Sequence, residues 1–189
     1  MSKITAFVYI SIDGFFAGPN GEIDWFKFIE KDDEWEEYTH ERAAIGQSIL
    51  VFGHTTYEMM KGFWPSRQAV QDDPEMAKVV NFNLKLVFSK KISKAEEEEK
   101  WKNIAVMNEI NKDKIFEMKE KNDMVILGSG SIVQQFTDLN LIDEYSLVVA
   151  PMILGKGKPL FKDVTQKKLN LAESRSFKNG ITLLRYIVN

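Results

Sequence analysis

The sequence predicts an α/β fold: a mixed, mostly parallel central sheet, helices on both faces, and antiparallel strands at the C-terminal end. Three observations predict it. Short, mostly apolar runs recur at residues 4–10, 48–52, 84–88, 104–107 and 124–127, the last without alternation. Such runs suit strands buried on both faces. Segments of helical period with recognisable starts lie between them. The last third carries strand-like runs instead, two of them joined by Lys178-Asn179-Gly180, and Asn-Gly between such runs marks a hairpin. The chain has 189 residues, enough for one well-buried core, and no linker or repeat divides it. It is therefore expected to be a single domain over residues 1–189.

Residues 4–10 are β-rich and apolar, a central strand. Residues 11–25 form a long loop with Asp13-Gly14, Pro19-Asn20-Gly21 and the aromatics Phe15, Phe16 and Trp25. Turn dipeptides explain its shape. Its apolar side chains need a surface, either the core beneath an Ω-like loop or a flat ligand. From Asp33 the pattern is helical: Trp35, Tyr38 and Ile45 share a face, Asp32 or Asp33 is the cap and Gly46 the stop. The strand at 48–52 runs into Gly53-His54-Thr55-Thr56-Tyr57, where Thr55 or Thr56 can cap the next helix or donate a hydroxyl. Gly62-Phe63-Trp64-Pro65 ends that helix, and Asp73-Pro74 starts another. The strand at 84–88 ends in Ser89-Lys90-Lys91. The acidic run 96–99 reads as a solvated surface segment, and 112–121 as a surface helix.

The strand at 124–127 passes through Gly128-Ser129-Gly130-Ser131 into a helix with Ile132, Val133, Phe136 and Leu139 on one face. Small residues let a ligand approach the backbone there. The first N–H groups of the helix would then point at an anion. A plain strand-to-helix turn reads the same way locally. A strand at 145–150 follows, then a connection broken by Gly and Pro through residue 161.

Composition narrows the function. The net charge of −3 gives no reason to expect nucleic acid as a partner. Without cysteine there is no disulfide, thiol chemistry or thiolate metal site, which fits a reducing cytoplasm. With His40 and His54 as the two histidines, no multi-histidine metal site is expected. No apolar run reaches membrane-spanning length. Residues 22–42 hold nine acidic and three basic groups, a local −6. Residues 151–189 hold eight basic and two acidic, a local +6. Solvated faces explain this best. Attraction of an anionic cofactor and a dimer contact are the other readings.

Three apolar strands thus end in small or hydroxyl residues, at Gly53, Ser89 and Gly128. Ligands of open sheets bind outside the carboxyl ends of strands. Three such turns, with Lys90, Lys91 and His54 among them, favour a multi-phosphate ligand. A dinucleotide with a 2′-phosphate, such as NADPH, fits. The turn lacks the third glycine of a Rossmann fingerprint.

These stretches are similar to the dihydrofolate-reductase-like family that includes the C-terminal reductase domain of the bifunctional riboflavin-biosynthesis deaminase/reductase. The resemblance rests on Ser11-Ile12-Asp13-Gly14-Phe15-Phe16-Ala17, on the Gly53 and Gly128 turns, and on Leu141-Ile142-Asp143-Glu144. It extends through Ala150-Pro151-Met152-Ile153-Leu154-Gly155-Lys156-Gly157-Lys158-Pro159-Leu160-Phe161. The resemblance implies a dihydrofolate-reductase-like three-layer fold, NADPH as hydride donor and a homodimer. It implies that Gly53, Thr55 and Thr56 hold phosphate, that Ser89 and Lys90 lie near the adenosine phosphate, and that Gly128, Ser129, Gly130, Ser131 and Ile132 line the pyrophosphate. Ala17 and Gly18 would lie near the nicotinamide. His54 stands where dihydrofolate reductases usually carry arginine, and Gly-Ser-Gly replaces their triple glycine. Asp24 is the first candidate proton donor and Asp13 the second. A helix cap and a turn residue are the structural alternatives for these two.

The sequence thus points to an NADPH-dependent reductase of a small heterocyclic or carbonyl substrate. The alternatives are a non-catalytic NADP(H)-binding or regulatory protein, and a reductase of a riboflavin-pathway pyrimidine intermediate. No zinc-deaminase motif accompanies the chain.

Overall fold

A computed structural model of the protein describes residues 2–44 and 48–188. Ile45 and Gly46, the expected end of the first helix, lie outside the described residues. In chain order the strands and helices begin with β1 (Ile4–Ser11), β2 (Phe15–Ala17), a 3-10 helix (Asp24–Phe28) and α1 (Asp33–Ala44). Then come β3 (Ser48–Gly53), α2 (His54–Phe63), α3 (Arg67–Asp72), α4 (Pro74–Phe82) and β4 (Lys85–Phe88). Next are α5 (Lys94–Lys100), β5 (Ile104–Met107), α6 (Lys112–Lys121), β6 (Asp123–Gly128) and α7 (Gly130–Asp138). The chain closes with β7 (Glu144–Ala150), β8 (Lys158–Pro159), β9 (Leu169–Ser176) and β10 (Thr182–Val188).

Eight strands make one sheet in the order β5-β4-β3-β6-β1-β7-β10-β9. The six from β5 to β7 are parallel, while β10 runs antiparallel to both β7 and β9. The mixed sheet with an antiparallel C-terminal end is therefore present as read from the sequence. Short apolar runs place the strands; the Asn179-Gly180 turn, with Gly180 at φ +84°, reverses the last pair.

The sheet separates two layers of side chains. On one face Ile4, Ala6, Val8, Ile49, Val51, Met124 and Ile126 pack against α6 and α7 through Ile115, Ile132, Val133 and Phe136. The other face carries two clusters. Leu50, Phe52 and Val87 lie with Tyr57, Val80 and Trp101. Val148 and Leu183 lie with Trp35, Tyr38 and Phe177. Parity decides the sides, because neighbouring residues of a strand face opposite ways.

Some expectations are corrected by the structure. Neither Thr55 nor Thr56 caps α2; Gly53 is the cap residue and no side chain bonds there. Of the two candidate caps for α1, Asp32 does the work, accepting from the N–H groups of Glu34 at 3.0 Å and Trp35 at 3.3 Å. The first loop is not irregular throughout, since β2 pairs with β8 and a 3-10 helix follows. The acidic run 96–99 is helical, and Glu97 is only 3% exposed. It accepts from Tyr57 Oη at 2.9 Å, Lys61 Nζ at 2.7 Å and Lys100 Nζ at 2.8 Å. A run of four like charges leaves no sequence sign that one is buried; two of its partners come from α2 and the third, Lys100, from its own helix.

The oppositely charged ends of the chain meet within the molecule. Arg175 donates to Glu34 at 2.7 Å, and Asn179 donates to Asp32 at 2.9 Å and to the Glu30 carbonyl at 3.2 Å. That accounts for part of the charge asymmetry without a second molecule.

Candidate functional site

The parallel strands all deliver their carboxyl ends to one edge, so the turns that follow them converge. A groove of about 440 Å³ opens there, within the range of small-molecule sites. It is lined by Gly53, His54 and Thr55 after β3, by Ser89, Lys90 and Lys91 after β4, and by Ser129, Ser131 and Ile132 at the start of α7. Three turns far apart in sequence thus form one surface.

Glycine sets the fit between them. A Cβ on Gly53 would lie 2.5 Å from Ser129 Oγ and 3.1 Å from Ile132 Cγ1. Gly128, at φ +123°, comes so close to α2 that a Cβ would lie 3.0 Å from Thr56 Oγ1. Thr56 therefore sits against the Gly128 turn rather than lining the groove. The Gly128–Ser129 peptide is cis. Among the described residues no side chain caps α2 or α7, so N–H groups of their first turns remain for a ligand, apart from that of Ile132, which donates to the Ser129 carbonyl at 3.0 Å. The hydroxyls of Ser129 and Ser131 lie 2.8 Å apart. Both helix starts favour an anion, and Lys90 and Lys91 add two exposed cations. His54 Nδ1 and Ser89 Oγ share a hydrogen bond of 3.3 Å, and Ser89 Oγ also accepts from the Lys91 N–H at 3.0 Å. Ser89 thereby ties the second turn to the first.

Sequence reasoning missed the fourth wall. Asn108, Glu109 and Ile110 after β5, and Gln135 one turn into α7, also line the groove. The signal was present, because the apolar run 104–107 ends in Asn108 just as the other strands end in polar residues. Glu109 places one carboxylate among the cations.

The first loop reaches the same helix from the other side. Phe16 lies over Gly130, where a Cβ would come within 2.2 Å of its ring. Ala17 is 2% exposed, and its carbonyl lies 2.3 Å from where a Cβ on Gly157 would be. Gly18 donates to the Glu22 carbonyl at 2.8 Å, holding the tip of the loop. Ala17 and Gly18 are thus fixed beside the start of α7 through Phe16, without lining the groove.

The two aspartates differ. Both oxygens of Asp13 accept backbone N–H groups, from Leu154 at 3.1 Å and Gly155 at 2.7 Å. Ser11 and these amides hold its carboxyl below the usual carboxylate range. Asp13 braces the 151–157 connection. Asp24 opens the 3-10 helix, is exposed, and caps nothing. Among the described residues no group of three or more His, Asp or Glu side chains could hold a metal ion. No helix among them is long and apolar enough to cross a membrane.

Comparison with known proteins gives a consistent picture. The uncharacterized protein YyaP of Bacillus subtilis is 28% identical over 178 residues, covering 94% of this chain and 90% of its own. A Shewanella sp. PV-4 protein, provisionally named a riboflavin biosynthesis protein, superposes with a TM-score of 0.75 at 22% identity, over 99% of each chain. A pyrimidine reductase-like protein from Corynebacterium diphtheriae superposes with a TM-score of 0.62 at 17% identity, over all of this chain and 92% of its own. These two share the fold. The RibD C-terminal domain family matches residues 2–183, and this chain belongs to that family.

Proposed function

We propose that the protein is a single-domain, NADPH-dependent reductase of a small heterocyclic or carbonyl compound. The observation that carries the reading is the groove itself: three turns, two uncapped helix starts and three basic side chains at one sheet edge. The cofactor fits the residues present. Gly53 and Gly128 let the turns after β3 and β6 pack closely on Ser129 and Thr56, which brings the two turns together at one edge. Ser129, Ser131 and Thr55 supply hydroxyls, and the start of α7 supplies N–H groups for the pyrophosphate. Lys90, Lys91 and His54 offer charge to a 2′-phosphate, and Glu109 can accept from a ribose hydroxyl. When bound, NADPH supplies the hydride.

The chain's own residues bind, orient and supply the proton. Phe16 holds the first loop against α7, where the nicotinamide end would emerge, and Ala17 packs beside Gly157. Hydride addition to C=N or C=O leaves a basic atom on the product. Asp24, exposed at the start of the 3-10 helix, is the proposed relay of a proton from solvent to that atom. Asp13 is assigned to bracing the neighbouring connection. The family, and the name of the Corynebacterium neighbour, favour a second reading of the substrate, the pyrimidine intermediate of riboflavin biosynthesis.

The test is turnover. The protein with NADPH is offered that pyrimidine, pterins, quinones and aldehydes, following loss of the reduced-nicotinamide absorbance. Oxidation of NADPH dependent on one of them supports a reductase and chooses between the readings. Tight NADPH binding with no oxidation across the panel would leave the non-catalytic alternative standing instead. Asp24→Asn should lower turnover; an unchanged rate removes its role.

A further inference from the structure

The sheet face turned away from α7 is not closed. On β1 and β6 the side chains toward α7 are sealed, with Ala6, Met124 and Ile126 all 0% exposed. Thr5 stands opposite Val125 in register, so Phe7, Tyr9, Val125 and Leu127 share the other face. All four are half-buried, although their strands lie in the middle of an eight-stranded sheet. Phe7 and Tyr9 belong to the cluster under α1, and Val125 and Leu127 to the cluster under α2 and α4. The seam between the clusters runs over β1 and β6 toward their carboxyl ends, where Gly128 opens the phosphate turn.

Tyr9 stands near that end with three aromatic neighbours: Phe26 at 5.1 Å, Phe7 at 6.0 Å and Trp35 at 6.0 Å between ring centroids. Its oxygen accepts the Trp35 Nε1–H at 3.1 Å. Among the described residues nothing accepts the hydrogen of Tyr9 itself. A second uncommitted donor lies one ring away. Trp25, 4% exposed, meets Phe26 edge-on at 4.3 Å, and its Nε1 is buried without a partner among the described residues. Buried donors are nearly always satisfied, so the Trp25 N–H beside Phe26 points to a missing acceptor, and the half-buried Tyr9 hydroxyl next to it keeps its hydrogen for one as well.

We propose that Tyr9 is a substrate-contacting residue: its hydroxyl donates to a carbonyl or ring-nitrogen acceptor of a flat, uncharged heterocycle lodged in this seam. The proposal rests on the reductase reading and deepens it. Trp35 is a positioning residue, because its N–H takes one lone pair of Tyr9 and turns the hydroxyl hydrogen away from itself. The walls named here are aromatic or aliphatic, which suits a planar ring and leaves a charged one without a partner. Burial lifts the Tyr9 hydroxyl to about 12, against the opposing hydrogen bond from Trp35, so it stays a donor at neutral pH.

The experiment uses the whole chain with tyrosine labelled with carbon-13 at Cζ, saturated with NADP⁺. The probes are uracil and 2-quinolone, both flat, uncharged cyclic amides. The expected result is saturable binding of at least one probe, moving a tyrosine signal that Tyr9→Phe removes. Tyr9→Phe should weaken that probe at least tenfold and leave NADPH affinity unchanged. Trp35→Phe should weaken the probe by a smaller factor, with Tyr9 still reporting its arrival. Equal probe affinity in wild type and Tyr9→Phe overturns the role of Tyr9. So does a wild type that binds NADPH and neither probe. A wild type that binds no NADPH overturns the reductase reading itself.

Discussion

Replacing Gly130 by alanine sets local propensity against tertiary contact. Glycine inside a helix costs roughly 0.5–1 kcal/mol relative to alanine, so propensity alone says the change stabilises. The structure says the opposite. The new Cβ would lie 2.2 Å from Phe16 Cε1 and 2.7 Å from both Cδ1 and Cζ. Carbon atoms in contact stay about 3.5–4.0 Å apart, so the ring must withdraw by more than about 1 Å. Phe16 packs against the core cluster beneath α7 and has little room to do so. Overpacking of this kind costs about 1–3 kcal/mol. Set against the propensity gain, the net loss is about 0–2.5 kcal/mol, centred on roughly 1 kcal/mol, a fall in Tm of up to roughly 10 °C for a domain of this size. Thermal unfolding of Gly130→Ala, Phe16→Ala and the double variant measures it. With Phe16 cut back, the same glycine change should be neutral or stabilising. A Gly130→Ala protein that melts at or above wild type, or an equal effect in both backgrounds, would refute the contact between the first loop and the start of α7.

The other predictions concern charge. Replacing Lys90 and Lys91 together by alanine should weaken NADPH about tenfold at low salt, two exposed contacts being worth up to about 1 kcal/mol each; titrations at two ionic strengths should show the gap narrowing at high salt. Glu97→Ala leaves Tyr57 and two lysines around an empty acceptor and should destabilise by about 3–5 kcal/mol in urea unfolding, as removal of one partner from a buried ion pair does. Burial alone would raise the Glu97 carboxyl, but hydrogen bonds from Lys100, Lys61 and Tyr57 bring it down to about 2. Its stabilisation is therefore complete above the usual carboxylate range and is lost as pH falls toward 2, so Glu97→Gln should flatten the acid limb of the stability curve. His40 bonds Asp73 at 2.9 Å and joins α1 to α4. That bond raises the imidazole above its ordinary value, so its contribution is full below about 6.5 and fades as pH rises through the raised value. His40→Gln should cost up to about 1 kcal/mol at mildly acid pH and less in alkali, read by unfolding at both.

The parallel part of the fold was legible because buried strands announce themselves as short apolar runs. The hairpin was legible because Asn179-Gly180 can do little else. The groove was half legible. Small and hydroxyl residues at Gly53, Ser89 and Gly128 marked three walls, while the wall after β5 went unread although Asn108 follows the same pattern. Glu97 was hidden because burial depends on Tyr57 and Lys61, about 40 residues back in sequence. Phe16 was visible as an aromatic in a loop, but only the pairing of β2 with β8 shows what it covers. Tyr9 looked like one more apolar strand residue; its unspent hydroxyl emerges only once Trp35 is seen to donate to it.

The central claim is that the edge between Gly53, Ser89 and Gly128 holds NADPH. The most direct measurement is a titration of NADPH against tryptophan fluorescence in wild type and in Gly53→Val, whose side chain would enter the space held by Ser129 and Ile132. The account predicts saturable binding by the wild type, weaker binding of NADH, and loss of NADPH binding in a Gly53→Val protein that remains folded by circular dichroism. Equal NADPH affinity in the two folded proteins, or no saturable response in the wild type, would contradict it.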